Sequence, residues 1–167
     1  ALLMVNDQYD YEPRLAEKWT ASPDAKTFTF NLRSGLKWSN GEPFSSKDVL
    51  FTYKLLANAA SGSAHSAKFD HVVGIADYRS GKTPDVAGFR APDPNTFVVE
   101  LDQPNAAFIS SISWPFYGIL PESVLGTTDL ASRWSERTRL EDYRLETVEL
   151  AHTLADDLAR VRPAGEP

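Results

Sequence analysis

The chain has 167 residues, of which 42% are hydrophobic, and this predicts one globular domain with a single core. Its net charge of −6 argues against nucleic-acid binding, because neutralising phosphates requires a basic face. Cysteine is absent, which excludes disulfides and cysteine-based metal sites, and no apolar run approaches the ~20 residues of a membrane-spanning helix.

The first elements are short. Residues 1–5 are apolar, but this segment is too short for an export signal and lacks the basic flank of one. Residues 12–19 predict a short turn and strand, and the Ser-Pro-Asp-Ala run at 22–25 predicts a turn into the next strand.

Residues 27–33 carry the clearest strand signal. Phe28, Phe30 and Leu32 alternate with polar residues, which predicts a strand with one buried face. Asn40-Gly41 then favours a tight turn, because both residues tolerate positive φ at little steric cost. We expect Gly41 to adopt that conformation.

A capped helix is predicted after this turn, from Ser45 to about Ala60. Ser45 is a suitable N-cap, and Asp48 lies where the acid of a capping box reaches back to the cap. The residues expected on its apolar face recur at helical spacing: Val49, Tyr53, Leu56, Ala57 and Ala60.

The next segments alternate loops with short elements. Small and polar residues at 59–67 predict a loop, and residues 69–77 fit either a strand or a helical turn. Residues 86–91 and 96–101 predict a hairpin around Asp93-Pro94-Asn95, and residues 104–113 predict a short helix with Asn105 as a possible cap. The helix residues expected to face the core are Phe108, Ile109 and Ile112. The core residues expected overall are Phe28, Phe30, Leu32, Val49, Tyr53, Phe97, Val99 and Leu101.

Residues 129–162 predict an amphipathic helix. Its apolar positions recur mostly at three- and four-residue steps between charges, and they are Leu140, Tyr143, Val148, Ala151, Leu154, Leu158 and Val161. This helix either packs back on the preceding domain or mediates self-association.

An ordered series of motifs resembles the N-terminal lobe of family 5 extracellular solute-binding proteins, the dipeptide and oligopeptide receptors of ABC importers. The motifs are Pro13-Arg14-Leu15-Ala16-Glu17-Lys18-Trp19, then Phe30-x-Leu32-Arg33-x-Gly35-x-Lys37-Trp38-x-x-Gly41-x-Pro43-Phe44, then Lys47-Asp48-Val49. The resemblance implies an α+β fold of mixed or antiparallel strands with flanking helices, as in one subdomain of a type II periplasmic-binding-protein-like receptor. It also implies a non-catalytic protein that delivers peptides or similar small solutes to an ABC permease.

The resemblance ends near Gly126. We therefore expect residues 1–126 to form the lobe subdomain and residues 127–167 to form a helical tail outside the family pattern. Since family members are several hundred residues longer, the chain is expected to be one lobe of a longer receptor. In its full-length form that receptor would be extracellular or periplasmic, anchored to the membrane as a lipoprotein.

The candidate ligand-binding residues lie in two segments, and the resemblance places both near the cleft between the lobes. One is the aromatic cluster Trp114-Pro115-Phe116-Tyr117, for which a ligand wall and ordinary packing are both open. The other is the loop at 61–66, where relatives often have a Tyr and this chain has His65 among small residues. The predicted contacts are Ser63, Ala64, His65, Trp114, Phe116 and Tyr117.

No catalytic, cofactor or metal site is predicted. The histidines His65, His71 and His152 lack the convergent spacing of a zinc site, and no phosphate loop or nucleophile elbow is present. Two rivals to the receptor hypothesis stay open at this point. One is an interaction module that self-associates through the Leu150, Leu154 and Leu158 stripe, and the other is an enzyme on an unfamiliar scaffold.

Overall fold

The structure is a computed structural model that describes residues 1–58, 65–113 and 118–125. Strands and helices alternate along these ranges. In chain order they are β1 (Leu3–Val5), β2 (Tyr11–Pro13), β3 (Ala16–Ala21), β4 (Thr27–Leu32), α1 (Ser46–Ala57), a 3-10 helix (Ser66–Phe69), α2 (Ile75–Arg79), β5 (Phe89–Asp93), β6 (Thr96–Glu100), α3 (Phe108–Ile112) and α4 (Glu122–Leu125).

The main sheet is antiparallel, with strand order β3-β4-β6-β5. Phe30 on the inner strand β4 is paired with Trp19 on one side and Phe97 on the other. The predicted alternation of β4 is confirmed, because its aromatic and leucine side chains are buried while its threonine and asparagine side chains are only half-buried. One face of this sheet therefore carries the core.

A second, two-stranded sheet pairs β1 with β2, and Leu3 lies opposite Pro13. Leu2 and Leu3 are among the most buried side chains of the described part, with 1% and 0% exposure. Three residues are too few to show a period, so β1 has no strand signal of its own. The backbone carbonyl of Leu2 also accepts from the amides of Arg14 and Ala16, which joins this small sheet to the start of β3.

The predicted turn and helix cap are both present. Gly41 has a φ of +88°, and the amide of Glu42 donates to the side chain of Asn40 at 3.0 Å. Ser45 and Asp48 form the complete capping box of α1. Helix α1 ends at Ala57, three positions before the expected boundary, and Asn58 is extended.

The core forms where α1 and α3 cover the inner face of the sheet. Tyr53 of α1 contacts Phe97 at a ring-centroid distance of 5.2 Å and Phe69 at 5.7 Å. Phe28 meets Phe108 of α3 at 5.2 Å. The eight predicted core residues are all buried: Phe28, Phe30, Leu32, Val49, Tyr53, Phe97, Val99 and Leu101.

The ambiguous segment 69–77 is helical at both ends. The 3-10 helix begins at Ser66, inside the predicted loop, and α2 begins at Ile75, with an isolated bridge from Val72 to Leu101 between them. The β5-β6 hairpin is present, although β5 begins at Phe89 because residues 86–89 form a turn in which the Phe89 amide donates to the Val86 carbonyl.

Helix α3 is shorter than predicted, and Asn105 accepts from the amide of Ala107 at 3.1 Å just before it. Phe108 and Ile112 are buried, and Ile109 packs against the core. Within the described ranges, no helix is long and apolar enough to cross a membrane. The predicted tail helix at 129–162 lies outside the described residues.

Candidate ligand-binding site

Of the six predicted contact residues, only His65 lies within the described ranges. Ser63, Ala64, Trp114, Phe116 and Tyr117 lie outside them. The residues that flank the two candidate segments are described, however. They show how each segment is attached to the lobe.

The segment before His65 leaves from the C-terminal end of α1. His65 is half-buried, and its carbonyl accepts from the amide of Lys68 at 3.0 Å, where the 3-10 helix starts. Arg79 of α2 donates to the carbonyls of Ala57 and Ser66, so one side chain contacts the backbone on both sides of residues 58–65.

The aromatic segment is attached at both ends. Ser113 before it is buried, and its hydroxyl donates to the carbonyl of Ile109 at 2.7 Å. After it, the amide of Leu120 donates to the hydroxyl of Thr52 at 2.8 Å. Thr52 is 1% exposed and donates to the carbonyl of Asp48 at 2.8 Å.

Asp48 extends this attachment. One carboxylate oxygen accepts from the amide of Ser45 at 2.8 Å within the capping box, and the other accepts from the amide of Glu122 at 2.9 Å. The indole N–H of Trp38 lies 3.4 Å from the first of these oxygens. Asp48 therefore completes the capping box of α1 and also bonds the first residue of α4. This second bond joins Asp48 to Glu122, which lies far along the chain.

Helix α1 thus anchors both candidate segments. The hydroxyl of Thr52 accepts from the amide of Leu120, shortly after the aromatic segment. The carbonyl of Ala57, just before the other segment, accepts from the guanidinium of Arg79. These two anchor points are five positions apart, which corresponds to about 8 Å along an α-helix with its rise of ~1.5 Å per residue. The fold brings the attachment points of the two segments close together.

Polar side chains reinforce both attachments. The hydroxyl of Ser123 on α4 donates to Glu42, and this hydrogen bond, with a second from Asn40, lowers the pKa of the Glu42 carboxyl. Beside the other segment, the Tyr78 hydroxyl donates to the carbonyl of Lys54 at 3.1 Å. Burial raises the pKa of Tyr78, so the phenol keeps the proton with which it bonds α1.

A shallow groove elsewhere on the lobe is lined by Gly74, Asp77, Thr83, Pro84, Asp85 and Ala87. Both of its acids are paired, Asp77 with Lys82 at 3.0 Å and Asp85 with Lys54 at 2.6 Å. In the described part of the chain, no three acidic or histidine side chains converge as metal ligands.

Several solved structures with the same fold are oligopeptide-binding proteins. The complex of Haemophilus influenzae OppA with the peptide RPPGFSPFR superposes with a TM-score of 0.68 and 30% identity, over 77% of this chain and 26% of that one. Listeria monocytogenes OppA bound to peptide gives a TM-score of 0.65 and 27% identity, over 75% and 25% of the two chains. The fold is α+β, as predicted, and it matches one subdomain of type II periplasmic peptide-binding proteins.

Sequence comparison agrees. The family model for bacterial extracellular solute-binding proteins, family 5 Middle, matches residues 10–143, and the chain belongs to this family. It is 33% identical to the dipeptide-binding protein DppE of Bacillus subtilis over 124 residues, and 32% identical to the periplasmic oligopeptide-binding protein OppA of Salmonella typhimurium over 138. These matches cover 74% and 80% of this chain.

The same alignments cover only 23% and 25% of the two relatives, so the chain spans about a quarter of the length of the proteins that it matches. These relatives are named as binding proteins and not as enzymes, which agrees with the prediction of a non-catalytic protein. The matched residues extend past Gly126, to residue 143. The division into a lobe at 1–126 and a tail at 127–167 stays a prediction.

Proposed function

We propose that this chain forms one lobe of an extracellular solute-binding receptor that delivers peptides or similar small solutes to an ABC importer. The observation that carries the proposal is the likeness to a peptide-bound OppA over 77% of the chain. A two-lobe receptor closes on its ligand because contacts from both lobes favour the closed state. This lobe would supply one face of that cleft and no catalytic group.

We further propose that the two segments attached to α1 form its contribution to the cleft. Trp114, Phe116 and Tyr117 would offer flat aromatic surfaces, which suit ligands of variable sequence because stacking demands little geometry. Ser63, Ala64 and His65 would contribute the second contact. The closeness of the two anchor points on α1 supports this arrangement, since one ligand can then reach both segments.

The receptor would act outside the cytoplasmic membrane, in the extracellular or periplasmic space, held there as a lipoprotein and meeting the permease subunits of the importer. This rests on the family to which the chain belongs. The rival hypothesis of self-association concerns Leu150, Leu154 and Leu158, which lie outside the described residues, and no contact in the described ranges favours it.

The test is a substitution of Trp114 by Ala in the full-length receptor, with peptide affinity measured by calorimetry. We expect binding to weaken by about 1–3 kcal/mol while the fold survives, as for the loss of one aromatic contact. Trp19→Ala is the control, because Trp19 packs edge-on against Tyr11 beside the small sheet and should affect stability alone. Unchanged affinity in Trp114→Ala would remove Trp114 from the cleft, and equal losses of stability and affinity would place it in the core.

A further inference from the structure

We propose that Asn40 is a site of spontaneous modification, at which the side-chain amide is lost and an aspartate or an isoaspartate takes its place. Asn40 is followed by Gly41, and both residues are exposed in the turn that precedes α1. The reaction needs only a backbone nitrogen, water and mild base. It involves no ligand, so it goes beyond the proposed receptor function and does not depend on it.

The chemistry is a ring closure between neighbouring residues. The backbone nitrogen of Gly41, after losing its proton to a base in the solvent, bonds to Cγ of Asn40, and the side-chain nitrogen leaves as ammonia. Water then opens the cyclic succinimide. Attack at the former side-chain carbonyl gives aspartate, and attack at the backbone carbonyl gives isoaspartate. The net change converts an amide and a water molecule into a carboxylic acid and ammonia, with no oxidant or reductant.

Glycine at position 41 leaves the attacking nitrogen unhindered. Beyond its chain neighbours, no atom lies within 4 Å of the place where a Cβ would stand. A larger residue, above all a β-branched one, would crowd this nitrogen and restrict the backbone rotation that ring closure requires. The exposed turn therefore presents the least hindered nucleophile that a protein backbone offers.

The turn also activates the carbon that is attacked. The amide of Glu42 donates to Oδ1 of Asn40 at 3.0 Å, which is the hydrogen bond of an Asx turn and directs the side chain toward the backbone that follows it. A donor on this oxygen polarises the carbonyl and stabilises the negative charge that develops there during attack on Cγ. The Glu42 amide is therefore placed to assist the ring closure.

One hydrogen bond opposes the reaction. The amide of Gly41 donates to the carbonyl of Trp38 at 2.9 Å, so the turn must open before this nitrogen can lose its proton. The rate of modification in the folded protein therefore depends on how often this single turn opens, and not on unfolding of the core.

Modification changes the contacts of the turn. The hydroxyl of Ser123 and the side-chain amide of Asn40 both bond the carboxylate of Glu42 and lower its pKa. An acid at position 40 removes the second donor and places another negative charge beside Glu42. Isoaspartate also lengthens the main chain, which disturbs the bond of 2.8 Å from the Trp38 amide to the Glu42 carbonyl across the turn. We therefore expect the modified turn to be looser.

The test is peptide mapping of the full-length protein after incubation in mildly alkaline buffer at physiological temperature. Trypsin releases residues 38–47 as a peptide that contains Asn40 and no other asparagine. Mass spectrometry measures the conversion of amide to acid, and chromatography separates aspartate from isoaspartate. Asn95 is the internal control, because it is exposed in the turn between β5 and β6 but is followed by the β-branched Thr96.

We expect conversion at Asn40 to be at least about tenfold faster than at Asn95, with isoaspartate among the products. Asn40→Gln keeps an amide but would need a larger ring, so it should stay unmodified under the same conditions. In the modified protein, hydrogen exchange of the Trp38 amide should rise by at least about tenfold. Conversion no faster than at Asn95 would overturn the proposal. Conversion to aspartate alone would overturn it as well, because direct hydrolysis without the succinimide gives no isoaspartate.

Discussion

Replacing Phe30 with Ala tests the assignment of the buried face of the sheet. Phe30 is fully buried on an inner strand, between Trp19 and Phe97. A buried phenylalanine removes about 150–250 Å² from water, and its truncation to Ala in a core costs about 3–5 kcal/mol. For a domain whose total stability is about 5–15 kcal/mol, this is a large share.

The assay is urea unfolding followed by far-UV circular dichroism. With a denaturant dependence of about 2 kcal/mol per molar urea, a loss of about 4 kcal/mol lowers the midpoint by about 2 M. Thr29→Ala is the matched control, because Thr29 is adjacent on β4, half-buried and on the opposite face. Its cost should be about 1 kcal/mol or less. A cost below about 1 kcal/mol for Phe30→Ala, or an equal cost for both variants, would refute the assignment.

Two further predictions concern the Gly41 turn and the buried hydroxyl of Thr52. Gly41→Val should lower the melting temperature markedly because Gly41 has a φ of +88°, and an unchanged value would remove the turn assignment. Thr52→Val should cost about 1–3 kcal/mol in urea unfolding, because the Leu120 amide loses its acceptor, whereas Thr52→Ser keeps the hydroxyl and should cost less; equal costs would contradict this.

Local signals predicted the central part of the fold. The alternation in β4, the Asn40-Gly41 turn and the Ser45 cap each depend on neighbouring residues only, and all three are present. The family resemblance predicted the class of fold for a similar reason, since its motifs are ordered around the same strand, turn and helix. Boundaries were less accurate, since α1 ends before the extended Asn58, β5 begins after the turn at 86–89, and α3 begins only at Phe108.

Long-range contacts could not be predicted in this way. Strand β1 has three residues, and Leu2 and Leu3 are buried in the same core cluster as residues far along the chain. Asp48 was identified as a helix cap, but its bond to the amide of Glu122 joins residues distant in sequence. The hydrogen bonds of Arg79 have no sequence signal either, because their acceptors are two backbone carbonyls and one carboxylate that folding brings together.

If this chain is one face of a two-lobe peptide receptor, it should bind peptides far more weakly than the complete receptor, and calorimetry on both proteins measures this difference. The same peptides, tri-alanine, RPPGFSPFR and a dipeptide mixture, are titrated into the 167-residue chain and into the full-length receptor. We expect micromolar or tighter binding by the receptor and weak or undetectable binding by the single lobe, because an open face can neither close nor exclude water. Micromolar binding by the lobe alone, or no binding by the receptor, would contradict it.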